Sequence, residues 1–82
     1  MKPVFIAAPA SVEFAEAVRW YENKRSGLGG EFYDAAVDAI ALVQQYPAAG
    51  RQVHGPREHR ELLVERFPYH IVYRERPGDL YV

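Results

Sequence analysis

Four arginines near the C-terminal end of the sequence carry the side chains best suited to chemistry. They stand on or beside two segments in which apolar and polar residues alternate as in strands, at Arg57, Arg60, Arg66 and Arg74. A planar guanidinium can hold a phosphate through two parallel hydrogen bonds, so arginines grouped on one sheet could bind RNA. A simpler interpretation is that they pair with neighbouring glutamates across solvated strands.

Other residue types that commonly form sites give weaker signals. Three histidines could act as metal ligands or as a general base, namely His54, His59 and His70. None of them has a second ligand at a recognised interval. The sequence has no cysteine, and neither Ser11 nor Ser26 stands in the G-x-S-x-G pattern of a nucleophilic serine. We therefore predict no metal and no cofactor.

Aromatic residues are concentrated in the segments that we predict to be helical. Four of these aromatic residues are candidates for a surface that binds a protein partner, namely Trp20, Tyr21, Tyr33 and Tyr46. They could simply fill the interface between helices and sheet. Alternatively, part of this band stays exposed and binds a partner, because exposed aromatic patches mark interfaces.

Length and composition predict one cytoplasmic domain that spans residues 1–82. A chain of 82 residues buries only roughly 60% of its unfolded surface, so its core is thin. The absence of cysteine suits a reducing compartment, and the apolar run at residues 4–8 is too short for a signal peptide or a membrane span. The formal net charge of −1 argues against direct binding of double-stranded DNA.

The first elements needed to position these residues are a strand and a helix. The apolar residues 4–8 end at Pro9, which lacks a backbone N–H, and they predict a buried strand. Ser11 is then a candidate N-cap for a helix that ends near Lys24 or Ser26.

A second helix is predicted after a glycine-rich turn at residues 27–30. These glycines imitate a phosphate loop, but Phe32 replaces the last glycine of that motif and the segment joins two helices. The helix is predicted to restart at Glu31 and to end before Pro47. The two helices should form a hairpin.

The C-terminal part predicts a loop followed by strands. Residues 47–57 contain prolines and glycines and are predicted to be a loop. Alternation predicts strands at residues 60–65 and 69–74, and a further strand begins at residues 80–82 after a turn. The order is β-α-α-β-β-β, which predicts an α+β fold with a helical hairpin packed on a small, mainly antiparallel sheet.

Several stretches of this sequence resemble one known family over nearly its whole length. The most specific is Glu65-Arg66-Phe67-Pro68-Tyr69-His70-Ile71-Val72-Tyr73-Arg74. An independent signal is the spacing from Trp20-Tyr21-Glu22 to Gly27-Leu28-Gly29 and then Phe32. These patterns resemble the ParE/RelE toxin superfamily, whose members are often called plasmid stabilisation proteins. The resemblance implies a RelE/ParE-like fold.

The resemblance also implies a function and partners. It implies the toxin of a type II toxin–antitoxin module, ParE-like, which inhibits DNA gyrase and is neutralised by an antitoxin bound at the aromatic residues Trp20, Tyr21, Tyr33 and Tyr46. The alternative is a RelE-like ribosome-dependent mRNA interferase. Its catalytic residues would be Arg60, Arg66 and Arg74, which would hold the mRNA and stabilise charge during its cleavage. No membrane partner is implied, and pairing of two copies stays open.

One departure from the family concerns the C-terminal strand. Members usually continue past the position of Val82, complete that strand and close with a His-x-x-Arg-x-Pro segment and an aromatic residue. We therefore expect a truncated last strand, and a third hypothesis is a non-toxic remnant that binds only the antitoxin.

Overall fold

The computed structural model describes residues 1–55 and 58–82, and in these residues a helical hairpin packs on a five-stranded mixed sheet. The elements follow the order β1 Val4–Phe5, α1 Ala8–Lys24, α2 Leu28–Gln45, a 3₁₀ turn Pro47–Ala49, β2 Arg51–Val53, β3 His59–Leu63, β4 His70–Glu75 and β5 Leu80–Tyr81. The predicted α+β class and the helical hairpin are confirmed.

The strands lie side by side in the order β1-β5-β4-β3-β2. The pairs β2–β3, β3–β4 and β4–β5 are antiparallel, whereas β1 runs parallel to β5. The sheet is therefore mainly antiparallel, as predicted, and its first and last strands in sequence are neighbours. Val82 extends this pairing, because it donates to the Phe5 carbonyl at 2.9 Å and accepts from the Ala7 N–H at 3.0 Å.

The start of α1 differs from the sequence prediction. The strand predicted over residues 4–8 ends at Phe5, and the helix begins at Ala8 with Ala7 as its N-cap. Pro9 therefore lies in the first turn, where a missing N–H costs nothing because that group would have no helical partner. Ser11 is not the N-cap, since its N–H already donates to the Ala7 carbonyl at 3.0 Å.

The start of α2 also lies earlier than predicted, at Leu28 instead of Glu31. Gly27 turns the chain with a φ of 89°, a conformation that favours glycine. The Glu22 carboxylate of α1 accepts the N–H groups of Gly27 at 2.9 Å and of Gly29 at 3.0 Å. It thereby satisfies donors that the first turn of a helix leaves without partners.

Strand β2 was not predicted from the sequence. Residues 47–57 were expected to form a loop, yet they contain the 3₁₀ turn and β2, and residues 56 and 57 lie outside the described part of the chain. Strand β2 has three residues and is mostly exposed, so it lacks the apolar alternation that marks a strand. Its backbone pairing with β3 makes this segment a strand, and the local sequence pattern does not reveal that pairing.

The core lies between the hairpin and the sheet. Its buried residues are Phe32, Ala36, Val43, Val64, Phe67, Ile71, Tyr73 and Leu80. Phe67 comes from the turn between β3 and β4, and its ring meets those of Tyr21 and Phe32 at centroid distances of 5.0 and 5.2 Å. Neither helix in the described residues combines the length and apolar character that a membrane-crossing helix requires.

Candidate functional site

The helix-free face of the sheet, here called the open face, carries most of the polar side chains that could do chemistry. Alternate residues of a strand face opposite sides, and Ile71 and Tyr73 of β4 are buried beneath the hairpin. The residues between them and their cross-strand partners therefore lie on the open face. They include Arg51, His59, Glu61, His70, Arg74 and Tyr81.

Glu61 is the centre of a polar cluster on the open face. Its Oε2 atom lies 3.2 Å from a guanidinium nitrogen of Arg51 and 3.4 Å from Nδ1 of His70. Its Oε1 atom lies 3.8 Å from Nε2 of His59. Imidazole rings beside a carboxylate can transfer a proton, and the guanidinium of Arg51 can stabilise a nearby negative charge, so this arrangement suits acid–base chemistry.

The cluster around Glu61 was not predicted from the sequence. Its members come from three strands. From the sequence, the histidines were candidates only as isolated residues. The alternation around His59 and His70 could have placed each on a strand, but only the register decides that both face Glu61.

The arginines singled out from the sequence are not brought together. Arg60 pairs with Tyr73, faces the hairpin side and donates to the Gly50 carbonyl at 2.9 Å. Arg74 lies on the open face, with its guanidinium 5.5 Å from the centre of the Tyr81 ring. Arg60 and Arg74 therefore lie on opposite faces of the sheet.

Arg66 lies apart from that pair. Arg66 lies in the turn between β3 and β4, adopts a φ of 71° and has its guanidinium 3.5 Å from the Glu31 carboxylate. The pKa of Glu31 is held below its ordinary value, first by a hydrogen bond from Arg25 and further by the charges of both arginines. The predicted position of Arg57 lies outside the described residues.

The aromatic residues predicted to bind a partner differ in exposure. Trp20, Tyr33 and Tyr46 are at least half exposed, whereas Tyr21 packs into the core against Phe32. Trp20 lies under the ammonium group of Lys24, 4.7 Å from the ring centre. Among the described residues no ring contact links Trp20, Tyr33 and Tyr46, so their role as one antitoxin surface stays a prediction.

A mainly apolar cleft, here called the slot, opens beside β4 where β5 ends. It has a volume of about 500 Å³ and is lined mainly by residues from the start of α1, from α2 and from β4, with further residues from the start of β3 and the end of β5. Tyr33 is the only one of the four predicted aromatic residues in its lining. Tyr69 also lines it, and partial burial raises the pKa of this phenol. The slot was not predicted from the sequence, because its lining comes from segments that are far apart along the chain.

The hairpin between β4 and β5 is held by an ion pair. The Arg76 guanidinium donates two hydrogen bonds of 2.6 Å to the Asp79 carboxylate, which holds the pKa of Asp79 below its ordinary value. In the described ranges, no cluster of three or more histidine, aspartate or glutamate residues is arranged to hold a metal ion.

Comparisons of the chain with protein-family models, with curated proteins and with solved structures give no significant match.

Proposed function

We propose that this protein is a ParE-like toxin of a type II toxin–antitoxin module, which acts by binding DNA gyrase and is silenced by an antitoxin. The main support for the proposal is that residues from the two stretches that resemble the family contact one another. Tyr21 and Phe32 belong to one resembling stretch and Phe67 to the other, and their three rings form one cluster. Two separate sequence signals therefore describe one piece of packing, which supports a RelE/ParE-like topology.

A binding mechanism is favoured over a nuclease that uses the predicted arginines. Arg60 and Arg74 lie on opposite faces of the sheet, and Arg66 lies in the turn between β3 and β4. Their guanidinium groups therefore cannot hold one phosphate together. Arg60 is also committed to the Gly50 carbonyl, which gives it a structural role. The exposed rings of Trp20, Tyr33 and Tyr46 offer surface for protein partners instead.

The proposal is tested with the purified chain in two reactions run in parallel. One measures supercoiling of plasmid DNA by gyrase, and the other measures cleavage of mRNA on programmed ribosomes. We expect inhibition of supercoiling and intact mRNA. In cells, induced expression should arrest growth and induce the DNA-damage response. No arrest, together with normal supercoiling, would refute toxicity of this chain and leave only a partner-binding domain.

Arginine variants that keep the fold can distinguish gyrase binding from mRNA cleavage. Arg74→Ala is the most informative change, because Arg74 has a ring contact but no ion pair within the described residues. Arg66 should be replaced by glycine, since its φ of 71° is strained for any side chain. Gyrase inhibition should survive both changes unless the gyrase contact itself uses these residues.

The second candidate function, a RelE-like mRNA interferase, is supported by the cluster around Glu61 and not by the predicted arginine set. His70 is half exposed beside the Glu61 carboxylate, and Arg74 lies on the same face. If mRNA is cleaved, His70→Ala should reduce the rate by roughly 10²–10⁴-fold, as expected for loss of a general acid or base. His54→Ala is the matched control, because His54 is an exposed histidine whose side chain lies 3.5 Å from the Glu58 carboxylate, away from Glu61.

A further inference from the structure

A groove with a volume of about 590 Å³, here called the acidic groove, runs along one side of α2. Its lining on α2 recurs every three or four positions and is therefore one face of that helix. At about 1.5 Å per residue, the stretch from Glu31 to Leu42 is roughly 16 Å long. The opposite wall comes from β3 and the turn after it. The lining residues are Glu31, Asp34, Ala35, Asp38, Ala39, Leu42, Leu62, Leu63, Glu65 and Arg66.

The floor of the acidic groove is apolar. Ala35, Ala39 and Leu62 are half-buried and pack against the core. Leu42 and Leu63 are 44% and 59% exposed, so they leave apolar surface in contact with water. How closely two helices approach depends on the side chains between them, and alanines allow a short distance. The groove therefore has room for a second helix beside α2 and leucines for it to cover.

The groove owes its open side to the short length of β2. Strand β2 pairs with β3 only at residues 59–61, because the chain before Arg51 forms the 3₁₀ turn. Leu62 and Leu63 pair with β4 on the other side. In the described residues, this end of β3 therefore has no neighbour towards α2 in the sheet, and its side chains border the groove.

Three acidic side chains of the groove have no partner of their own. Asp34, Asp38 and Glu65 are exposed, and within the described part of the chain their carboxylates make no hydrogen bond or ion pair. The positive charge of the described sheet lies elsewhere, since Arg51 and Arg74 belong to the open face. The groove is therefore a negatively charged surface with an apolar floor.

The arginines near the groove are confined to one end. Arg66 is the only cation among the described lining residues, and both Arg66 and Arg25 contact the Glu31 carboxylate, at 3.5 and 2.9 Å. They neutralise Glu31 and leave the charge along the rest of α2 unopposed. The acids are spread along the helix, and the described residues contain no cluster that could hold a metal ion. A row of cationic side chains fits this distribution better than a single ion.

The spacing of the acids suits a helical partner. Asp34 and Asp38 are four residues apart, so they lie on the same side of α2 with about 5–6 Å between their Cβ atoms. A second helix beside α2 has the same repeat, and basic residues four positions apart on it come opposite both carboxylates. Apolar residues at i, i+3, i+4 and i+7 of that helix then cover the floor.

We propose that the acidic groove binds one amphipathic helix of a partner protein. Its apolar face lies on the alanines and leucines of the floor, and lysines or arginines on its flank face Asp34 and Asp38. Burial of Leu42 and Leu63 supplies most of the affinity, and the charges select the partner and fix its orientation. This inference does not rest on the proposed toxin function.

The test uses a capped, alanine-based peptide of about 16 residues, long enough to form a helix. Leucines stand at i, i+3, i+4 and i+7, and lysines four positions apart flank them. Binding to the ¹⁵N-labelled 82-residue chain is followed by amide shifts. The control peptide has glutamate at each lysine position. We expect the lysine peptide to shift amides of residues 31–42 and 62–66, and the glutamate peptide to bind at least tenfold more weakly.

Two pairs of surface variants make the binding site specific. Leu42→Gln should weaken binding of the lysine peptide at least fivefold, whereas Val12→Gln changes a 57% exposed residue of α1 outside the groove and should leave binding unchanged. Asp38→Asn should weaken binding by up to about fivefold, the range of a surface ion pair. Glu16→Gln is its matched control, because it removes the same charge from an exposed position of α1.

Four results would overturn the proposal. The first is equal binding of both peptides, or no binding at millimolar concentration. The second is a set of amide shifts confined to the open face or the slot. The third is equal weakening by Asp38→Asn and Glu16→Gln, which would show a response to net charge alone. The fourth is a dimer of the chain that Leu42→Gln dissociates, which would make a second copy the occupant.

Discussion

Removal of one buried hydroxyl, by Tyr73→Phe, should destabilise the protein strongly. Tyr73 is 1% exposed, and its hydroxyl donates to the Pro47 carbonyl at 2.6 Å and accepts from the Gly50 N–H at 2.9 Å. Phenylalanine keeps the ring in place and removes both bonds. The hydroxyl therefore ties the chain before β2 to the middle of β4.

The expected loss follows from the two groups left without partners. A buried donor or acceptor without a partner costs about 1–3 kcal/mol. The Gly50 N–H becomes a fully buried orphan, whereas the Pro47 carbonyl is partly accessible to water. We therefore expect the free energy of unfolding to fall by roughly 2–3 kcal/mol, which for a domain of this size corresponds to roughly 10–20 °C in Tm.

Urea unfolding of both proteins measures this difference. Tyr46→Phe is the matched control, because Tyr46 is 59% exposed and should change stability by less than about 0.5 kcal/mol. A Tyr73→Phe variant that loses no more than this control would refute the reasoning. It would mean that water replaces the hydroxyl or that the loop before β2 contributes little to folding.

Further predictions concern a helix contact and two titrations. Gly29→Ala should destabilise the protein by about 1–3 kcal/mol, because the added Cβ would lie 2.7 Å from a backbone carbonyl of α1. Gly30→Ala has open space around the added Cβ and should stabilise the protein by about 0.4–1 kcal/mol. Equal effects of the two changes in urea unfolding would contradict this prediction. The Arg76 ion pair lowers the pKa of Asp79, so its stabilising contribution is present above about pH 4 and is lost as pH falls through the folded value. Asp79→Asn should therefore lose less stability than the parent on acidification, and identical acid profiles would argue against the pair. Burial raises the pKa of Tyr69, so its contribution is present below about pH 10 and is lost as pH rises through the folded value. Tyr69→Phe should flatten the alkaline part of the stability profile, and an unchanged slope would contradict that assignment.

Local sequence signals predicted the main elements because each signal acts within a few residues. Helix α1 ends at Lys24 as predicted, and α2 ends before Pro47. The alternation of residues 60–65 and 69–74 predicted β3 and β4, with a difference of one or two residues at their ends. Periodicity and proline positions suffice for such elements because their causes are backbone sterics and one-sided burial.

Other elements depended on partners far away in the sequence. Glycines at positions 29 and 30 predicted a turn, yet both lie in α2 because Glu22 accepts the N–H of Gly29 and the helices approach closely there. Strand β2 exists because β3 pairs with it and because Tyr73 and Arg60 hold Gly50. No pattern within a short exposed segment contains that information.

The sequence by itself determined that the chain folds as a helical hairpin on a sheet and which residues can carry charge or rings. Only the tertiary structure decided which of them meet. Slippage of β3 against β4 by one residue would exchange the two faces, so the position of Glu61 beside His70 and the separation of Arg60 from Arg74 follow from register. Register is set by the whole core, with Phe67 packed between Tyr21 and Phe32 as its anchor at the turn.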